Sequence, residues 1–594
     1  MSKRDTVNLP DNSDIERSTI GGHPKGLMIL FFTEMWERFS YYGMRGILVL
    51  FLVSTVNGGF GWTESGALEL YGWYTMLVYL VSVPGGWLAD NIFGQKKAVL
   101  IGGFTLVAGH FLMAVPLEWA FYGALLLIVA GTGLLKPNIS TMVGGLYKKG
   151  DNRRDAGFTI FYMGINLGAF LAAIIVGYVG ETIGWHYGFS LAGFGMLLGQ
   201  IVFIAGQKHL KGVGDLNDAK SRKESLAKNP NGTSKSLTGN EKDRLVLLGI
   251  SFVIVLVFWA AFEQAGGLMN LYTKNYTDRY IGQELTVNEY RTAGTSADDS
   301  LAIAQAKYFI ENKQVTEYDG LGEFFGNLFN PTSRNFSEIQ TQLGATDSIN
   351  SSLLSYDSYV IQHEGADGTV YNSVMDETAP IVKDGNSYVI YDLANDLQGF
   401  IVPASWFQSL NALFILIFGG IIASLWVFLA RRGKNPPSIF KMGLGTAVMG
   451  AGFIFMVFAA LQRGAAADGM SAMYWLVLAY LFHTLGELAL SPVALSYITK
   501  LAPARMVASV MGVYFAVTGL GNKLAGALGE WAQSLGELQI FGGIAVTTIA
   551  LGLLLMLFSK RLNKLSHGAE DASLDEDDAE RVEEAQLTDA EIRP

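Results

Sequence analysis

Twelve apolar stretches, each long enough to cross a bilayer, run through this 594-residue chain. They begin near 27, 66, 98, 119, 156 and 187, and again near 244, 403, 441, 472, 507 and 540. A hydrocarbon layer about 30 Å thick takes roughly 20 apolar residues in helical form, and lipid offers the backbone no hydrogen-bond partner. Runs of this kind fold as a polytopic helical bundle. The charge content agrees, at 16 % against about 25 % in soluble proteins, and mean hydropathy is +0.30. Many of the 70 glycines lie inside apolar runs, where they let helices approach closely. The chain has no cysteine, which excludes a disulfide framework, a thiolate metal site and a cysteine nucleophile.

A polar, basic stretch at 207–243, rich in Lys, Ser, Gly and Asn, divides the spans six and six. It reads as a flexible cytoplasmic linker between an N-terminal bundle, 27–206, and a C-terminal bundle, 244–274 with 401–562. Lys/Arg asymmetry orients the spans. One set of loops carries Lys96 and Lys97, then Lys148, Lys149, Arg153 and Arg154, then the linker. It continues with Arg431, Arg432, Lys434 and Lys441, Lys500 and Arg505, and Lys560, Arg561 and Lys564. Among the opposite short loops, only the one with Arg463 is basic. Both termini are therefore expected in the cytoplasm. The polar tail 1–26 has no cleavable signal pattern, and the acidic tail 563–594 has the composition of a disordered segment.

Residues 275–400 are polar and fall on the extracytoplasmic side. GTVYNSV and SYVIYDL suggest short strands, DDSLAIAQAKYFIENKQ suggests a helix, and a small folded insert follows. It contains no HExxH, G-x-S-x-G or metal-ligand cluster, so a passive insertion is expected over a catalytic one.

The first span carries the most unusual chemistry. Glu34, Glu37, Arg38, Tyr41 and Arg45 stand at offsets 0, 3, 4, 7 and 11. At roughly 100° per residue they share one stripe about 100° wide on a helix. Four ionisable groups on one face of a membrane span are costly, and mark a functional site. Other charges deep in spans are few: Lys136, Glu263, Glu487 and Lys523. Arg45 and Lys136 place cations in the first half; Glu263 and Glu487 place carboxylates in the second. A cavity between such halves would orient a zwitterion, which is what a short peptide is.

EMWERFSYYG resembles the ExxERFxYYG signature of proton-coupled oligopeptide transporters, a branch of the major facilitator superfamily. GGWLADNIFGQKK at 85–97 resembles the superfamily's cytoplasmic gate motif; GTGLLKPNIS, FYMGINLGAF, FWAAFEQAGG, PASWFQSLN and GELALSPVALS resemble further family patterns in the expected order. The resemblance covers nearly all the membrane region, but neither insert nor acidic tail. It implies an all-α, twelve-helix major facilitator fold in a plasma membrane, expected to be a bacterial inner membrane. It implies a non-enzymatic symporter for di- and tripeptides, and for peptide-like drugs, with protons as coupling ion. No cofactor, metal, nucleic acid or obligate protein partner is expected besides the bilayer.

By resemblance, Glu487 receives the peptide amino terminus, and Arg45 and Lys136 the carboxylate end. Asn166 and Asn411 bond the peptide backbone, while Tyr41, Tyr42, Tyr79, Trp259 and Phe515 line side-chain pockets. Glu34, Glu37 and Arg38 exchange a salt bridge for a proton, and Glu263 pairs with Arg45. Asp90, Gly94, Lys96 and Lys97 form a cytoplasmic latch.

Gly72 stands where mammalian relatives carry a histidine, so proton handling should rest on carboxylates. Ala412 stands where a proline is usual, and the linker lacks the two extra helices of many bacterial members. The competing readings are a related carrier for a nitrate-like anion or a glycoside, and a membrane-tethered receptor or enzyme working through the insert. Opposed cations and carboxylates disfavour a simple anion, whose site would not need Glu487. An ATP-driven pump is disfavoured, because no G-x-x-x-x-G-K-[ST] segment is present.

Overall fold

Twelve helices of 19 to 29 residues follow one another among the described residues. The first six are α1 (Lys25–Val53), α2 (Glu64–Leu88), α3 (Gln95–Met113), α4 (Glu118–Gly145), α5 (Arg154–Tyr178) and α6 (Trp185–Gly206). The second six are α7 (Gly239–Phe262), α8 (Ser409–Arg431), α9 (Ser438–Ala465), α10 (Met473–Leu501), α11 (Val507–Leu535) and α12 (Glu537–Lys564). The computed structural model describes 19–147, 153–216, 238–292, 308–317, 348–349, 358–364, 370–376, 381–384, 387–392, 397–466, 469–503 and 506–569. Residues 1–18 of the N-terminal tail, linker residues 217–237, the tail from 570, and Lys148, Lys149 and Arg505 lie outside the described residues.

Ten of the twelve are apolar enough to span a bilayer by composition alone; α1 and α11 are the exceptions. In α1 every residue from Glu37 to Leu52 is buried, so protein rather than lipid surrounds its charges. α7 begins with a capping box in which Thr238 Oγ1 accepts from Glu241 N (3.3 Å) and Glu241 Oε2 accepts from Thr238 N (2.8 Å). That cap starts the helix five residues before the apolar run at 244, because capping rather than hydropathy decides where a helix begins.

The first half repeats. α2 and α5 each have 25 residues and begin 90 residues apart, at 64 and 154. Each ends in a five-residue π-turn, Ala89–Phe93 and Val179–Ile183. Gly94 N closes the first on Ala89 O (2.8 Å), and Gly184 N closes the second on Val179 O (3.0 Å). Because successive helices alternate in direction, these turns lie at opposite ends of the bundle. We call them the linker side, where α6 leaves for α7, and the insert side, where the chain between α7 and α8 departs.

Helix crossings use glycine where backbones meet. A Cβ at Gly85 of α2 would lie 1.8 Å from the Gly133 carbonyl oxygen of α4, whereas one at Gly86 would meet nothing nearer than Pro137 Cβ at 3.8 Å. Gly85→Ala is therefore expected to destabilise by about 1–3 kcal/mol through overpacking, with Gly86→Ala close to neutral. Thermal unfolding of the two variants in detergent measures the difference.

Tyr276–Val402 with Ala459–Trp475 form a second compact unit. Its sheet comprises β1 (Tyr280–Thr292), β2 (Tyr308–Glu317), β3 (Ser348–Ile349), β4 (Ser358–Glu364), β5 (Val370–Asp376), β6 (Ile381–Asp384), β7 (Ser387–Asp392) and β8 (Leu397–Ile401). The order is β3-β6-β7-β1-β2-β4-β5, with β8 also pairing β1. Pairings are antiparallel apart from β2 with β4. GTVYNSV and SYVIYDL supply β5 and β7. The helix expected from DDSLAIAQAKYFIENKQ is corrected: residues 308–314 lie in β2, registered against β1 from Thr292 back to Thr286, and 298–307 lie outside the described residues. A long partner strand outweighed the local helical periodicity.

Candidate functional site

The stripe on α1 organises into two separate charge groups. Arg38 Nε lies 2.7 Å from Glu34 Oε1, its Nη2 pairs with Glu37 Oε2, and all three side chains are wholly buried. The guanidinium also sits over Tyr41 and Tyr42, 5.4 and 5.6 Å from the ring centroids. Nearly two turns further along, Arg45 Nη2 pairs with Glu263 Oε2 across the two halves. Breaking a buried pair of this kind by removing one partner typically costs about 3–5 kcal/mol.

Tyr71 of α2 completes the second group. Its hydroxyl accepts from Arg45 Nη2 and donates to Glu263 Oε2 at 3.0 Å. Glu263 opens a 3-10 turn, Glu263–Ala265, that interrupts the path from α7 to a short helix at Leu268–Tyr276. Gly266 follows, and a Cβ there would lie 1.9 Å from Tyr71 Oη and 3.1 Å from Arg45 Nη2. The break in the helix and the glycine after it let Glu263 reach Arg45. The sequence reading missed Tyr71, because one tyrosine in an apolar run is ordinary packing. Hydrogen bonds to charged groups contribute about 1.5–3 kcal/mol, so Tyr71→Phe should lower stability by about that amount. The neighbouring Tyr74 hydroxyl is buried without a hydrogen-bond partner among the described residues, so Tyr74→Phe should be nearly silent in the same unfolding measurement.

Further contacts join the halves at the insert side. The Gly46 carbonyl accepts from Asn270 Nδ2 (3.0 Å) and Gln408 Nε2 (3.1 Å), and Asn275 Nδ2 donates to Glu64 Oε1 (2.7 Å). The Glu181 carboxylate accepts from the Ala404 and Ser405 amides. Polar residues at span ends were the available signal for these positions, yet nothing local named their partners.

Lys136 of α4 is wholly buried, with Nζ 3.6 Å from the centroid of the Tyr41 ring. In the second half, Asn411 Nδ2 donates to Glu487 Oε2 at 2.9 Å and lies 3.1 Å from Thr484 Oγ1. The two residues expected to meet different parts of a ligand thus already meet each other. Asn166 Nδ2 donates to the Tyr162 carbonyl of its own helix at 3.0 Å. Tyr79 packs against Gly519 of α11, and Trp259 against Gly521 and, edge to face, against Phe258 and Phe262. Phe515 is half-buried beside Tyr514. Gly72 faces α11, where a Cβ would lie 3.2 Å from Gly526 Cα, leaving little room for a larger side chain.

At the linker side, Asp90 is exposed in the π-turn, Gly94 adopts φ +76°, and Lys97 is exposed. Lys96 N donates to the Gly214 carbonyl (2.9 Å), and its Nζ lies 3.2 Å from Asp215 Oδ1. Lys96 therefore holds the segment following α6, within its own half. His483, one turn before Glu487, is buried 4.5 Å from the Phe453 ring centroid. Lys523 pairs with Glu530 at 3.5 Å.

The POT family model matches residues 96–224 and 386–537. Over 568 residues the chain is 36 % identical to an uncharacterised transporter of Bacillus subtilis, covering 94 % of this chain and 99 % of that one. It is 30 % identical over 560 residues to a di-/tripeptide transporter of Lactococcus lactis subsp. cremoris, covering 93 % and 99 %. A crystal structure of a Glu-to-Gln point mutant of peptide transporter POT in complex with alafosfalin matches with a TM-score of 0.67 at 31 % identity, covering 93 % of this chain and 99 % of that one. The protein is thus a multi-pass membrane protein with a twelve-helix major facilitator fold, and it belongs to the POT family, whose members are transporters rather than enzymes.

Proposed function

We propose that the protein is a proton-coupled symporter importing di- and tripeptides by alternating access. The observation that carries this reading is the opposition of buried charge. Arg45 and Lys136 stand in the first half, Glu263 and Glu487 in the second, and none is more than 2 % exposed. The names of the Lactococcus relative and of the alafosfalin complex support a peptide or peptide-like substrate. In the insert-side-closed state, Glu263 and Tyr71 occupy Arg45. Protonating Glu263 releases Arg45 to the peptide carboxylate, which Lys136 shares, while Glu487 takes the ammonium end from Asn411. Glu34, Glu37 and Arg38 form a second proton-exchangeable cluster. Proton and peptide bias the same rocking equilibrium, which is the physical content of coupling. The Lys/Arg distribution supports an extracytoplasmic insert side with both termini in the cytoplasm, and the bacterial source of the relatives supports a bacterial inner membrane as its location.

The test is uptake of a labelled dipeptide into proteoliposomes, with and without an inward proton gradient. Accumulation above the external concentration only with the gradient is expected. Gradient-independent uptake removes symport, and uptake insensitive to competing peptides removes the substrate class.

A further inference from the structure

Glu181 belongs to no expected site, yet it makes the densest polar contact described between the halves. Its Oε2 accepts from Ala404 N at 2.8 Å, and its Oε1 accepts from Ser405 N at 2.9 Å and Ser405 Oγ at 2.6 Å. Ala404 opens a 3-10 turn, Ala404–Gln408, that runs directly into α8 and has no side-chain cap of its own. A carboxylate from the first half therefore caps a helix of the second, where unpaired amides and the helix dipole both favour an anion. Trp406 Nε1 reinforces the contact by donating to the Ile174 carbonyl of α5 at 2.9 Å.

Two features give this cap a role beyond local stability. The first is the segment it holds. Gln408 binds the Gly46 carbonyl at 3.1 Å, and Asn411, one turn further, binds Glu487 at 2.9 Å. Moving Ala404 and Ser405 away from Glu181 would move the residue that orients Glu487. The second is the internal repeat. Glu181 lies in the π-turn Val179–Ile183, which the 90-residue offset sets opposite Ala89–Phe93, the turn containing Asp90 of the gate motif. By that offset Glu181 corresponds to Asn91, beside Asp90, but at the other end of the bundle.

We propose that Glu181 is the insert-side latch of the transport cycle and a positioning residue for Glu487. Its carboxylate fixes the start of α8 while the insert side is closed, and releases it when that side opens. The proposal rests on the alternating-access reading, although its test requires no substrate.

The chain lacks cysteine, so introduced cysteines can be labelled cleanly. Spin labels at Val56→Cys, in the loop after α1, and Leu535→Cys, at the end of α11, report the separation of the halves at the insert side; both positions are more than half exposed. Pulsed electron–electron resonance is measured on the full chain in lipid nanodiscs. Glu181→Ala is expected to raise the ratio of long-distance to short-distance population at least tenfold. Ala404→Pro removes one donor and leaves Glu181 in place. Pro403, at φ −54° and ψ 137°, already has the conformation that a following proline requires. This variant should shift the ratio in the same direction by a smaller factor, and it decides alone if Glu181→Ala does not fold. A lowered melting temperature with an unchanged distance distribution in the folded variants would reduce Glu181 to a local cap and overturn the proposal. If the labels separate as expected while the unsubstituted protein carries no peptide, the latch stands and the substrate reading falls.

Discussion

Glu263→Gln abolishes uphill, proton-driven peptide accumulation while leaving a folded protein that still exchanges peptide down its gradient. Glutamine keeps the shape of the side chain and an oxygen for the Tyr71 hydroxyl, so the site does not collapse. It cannot exchange a charge for a proton, and Arg45 loses its counterion. The closed state then loses an attraction whose removal costs about 3–5 kcal/mol for a buried pair, a factor of roughly 100 or more in the conformational equilibrium. A rocking equilibrium biased that far no longer senses the proton gradient. The two outcomes separate in proteoliposomes, as accumulation against a gradient and as counterflow without one. Undiminished accumulation would exclude Glu263 from coupling.

The second large effect concerns Glu487. Truncating one partner of a buried charge pair typically costs about 2–5 kcal/mol, or roughly 30- to several-thousand-fold in affinity. Glu487→Gln should therefore weaken binding of a peptide with a free amino terminus by about 100-fold. It should scarcely change the already poor binding of the same peptide after N-acetylation, which has no ammonium to lose. Competition against a labelled dipeptide measures both. Equal losses for the two peptides would assign Glu487 a structural role through Asn411 instead.

How far the site could be read in advance varied with the kind of interaction. The charged stripe from Glu34 to Arg45 is visible because ionisable residues are rare in apolar runs. The Arg45–Glu263 partnership came from resemblance to a family, since the residues are 218 positions apart and no local pattern links them. Tyr71, Gly46 and Glu181 escaped notice for a different reason. A tyrosine hydroxyl, a backbone carbonyl and a carboxylate near a span end are unremarkable until another helix delivers a donor or an acceptor to them. The insert shows the converse error: residues 308–314 have a helical pattern, yet a 13-residue partner strand takes them.

Hydrophobic length, glycine content and the Lys/Arg distribution are local properties, and lipid leaves the backbone one economical response to them. They determined the number of spans and where they run, and with them the class of protein. Which buried charges meet, which amides Glu181 caps and whether Asn411 faces Glu487 depend on helix crossings set by close contacts such as Gly85 with Gly133. Such contacts join residues far apart in the chain, so only the packed tertiary structure decided them.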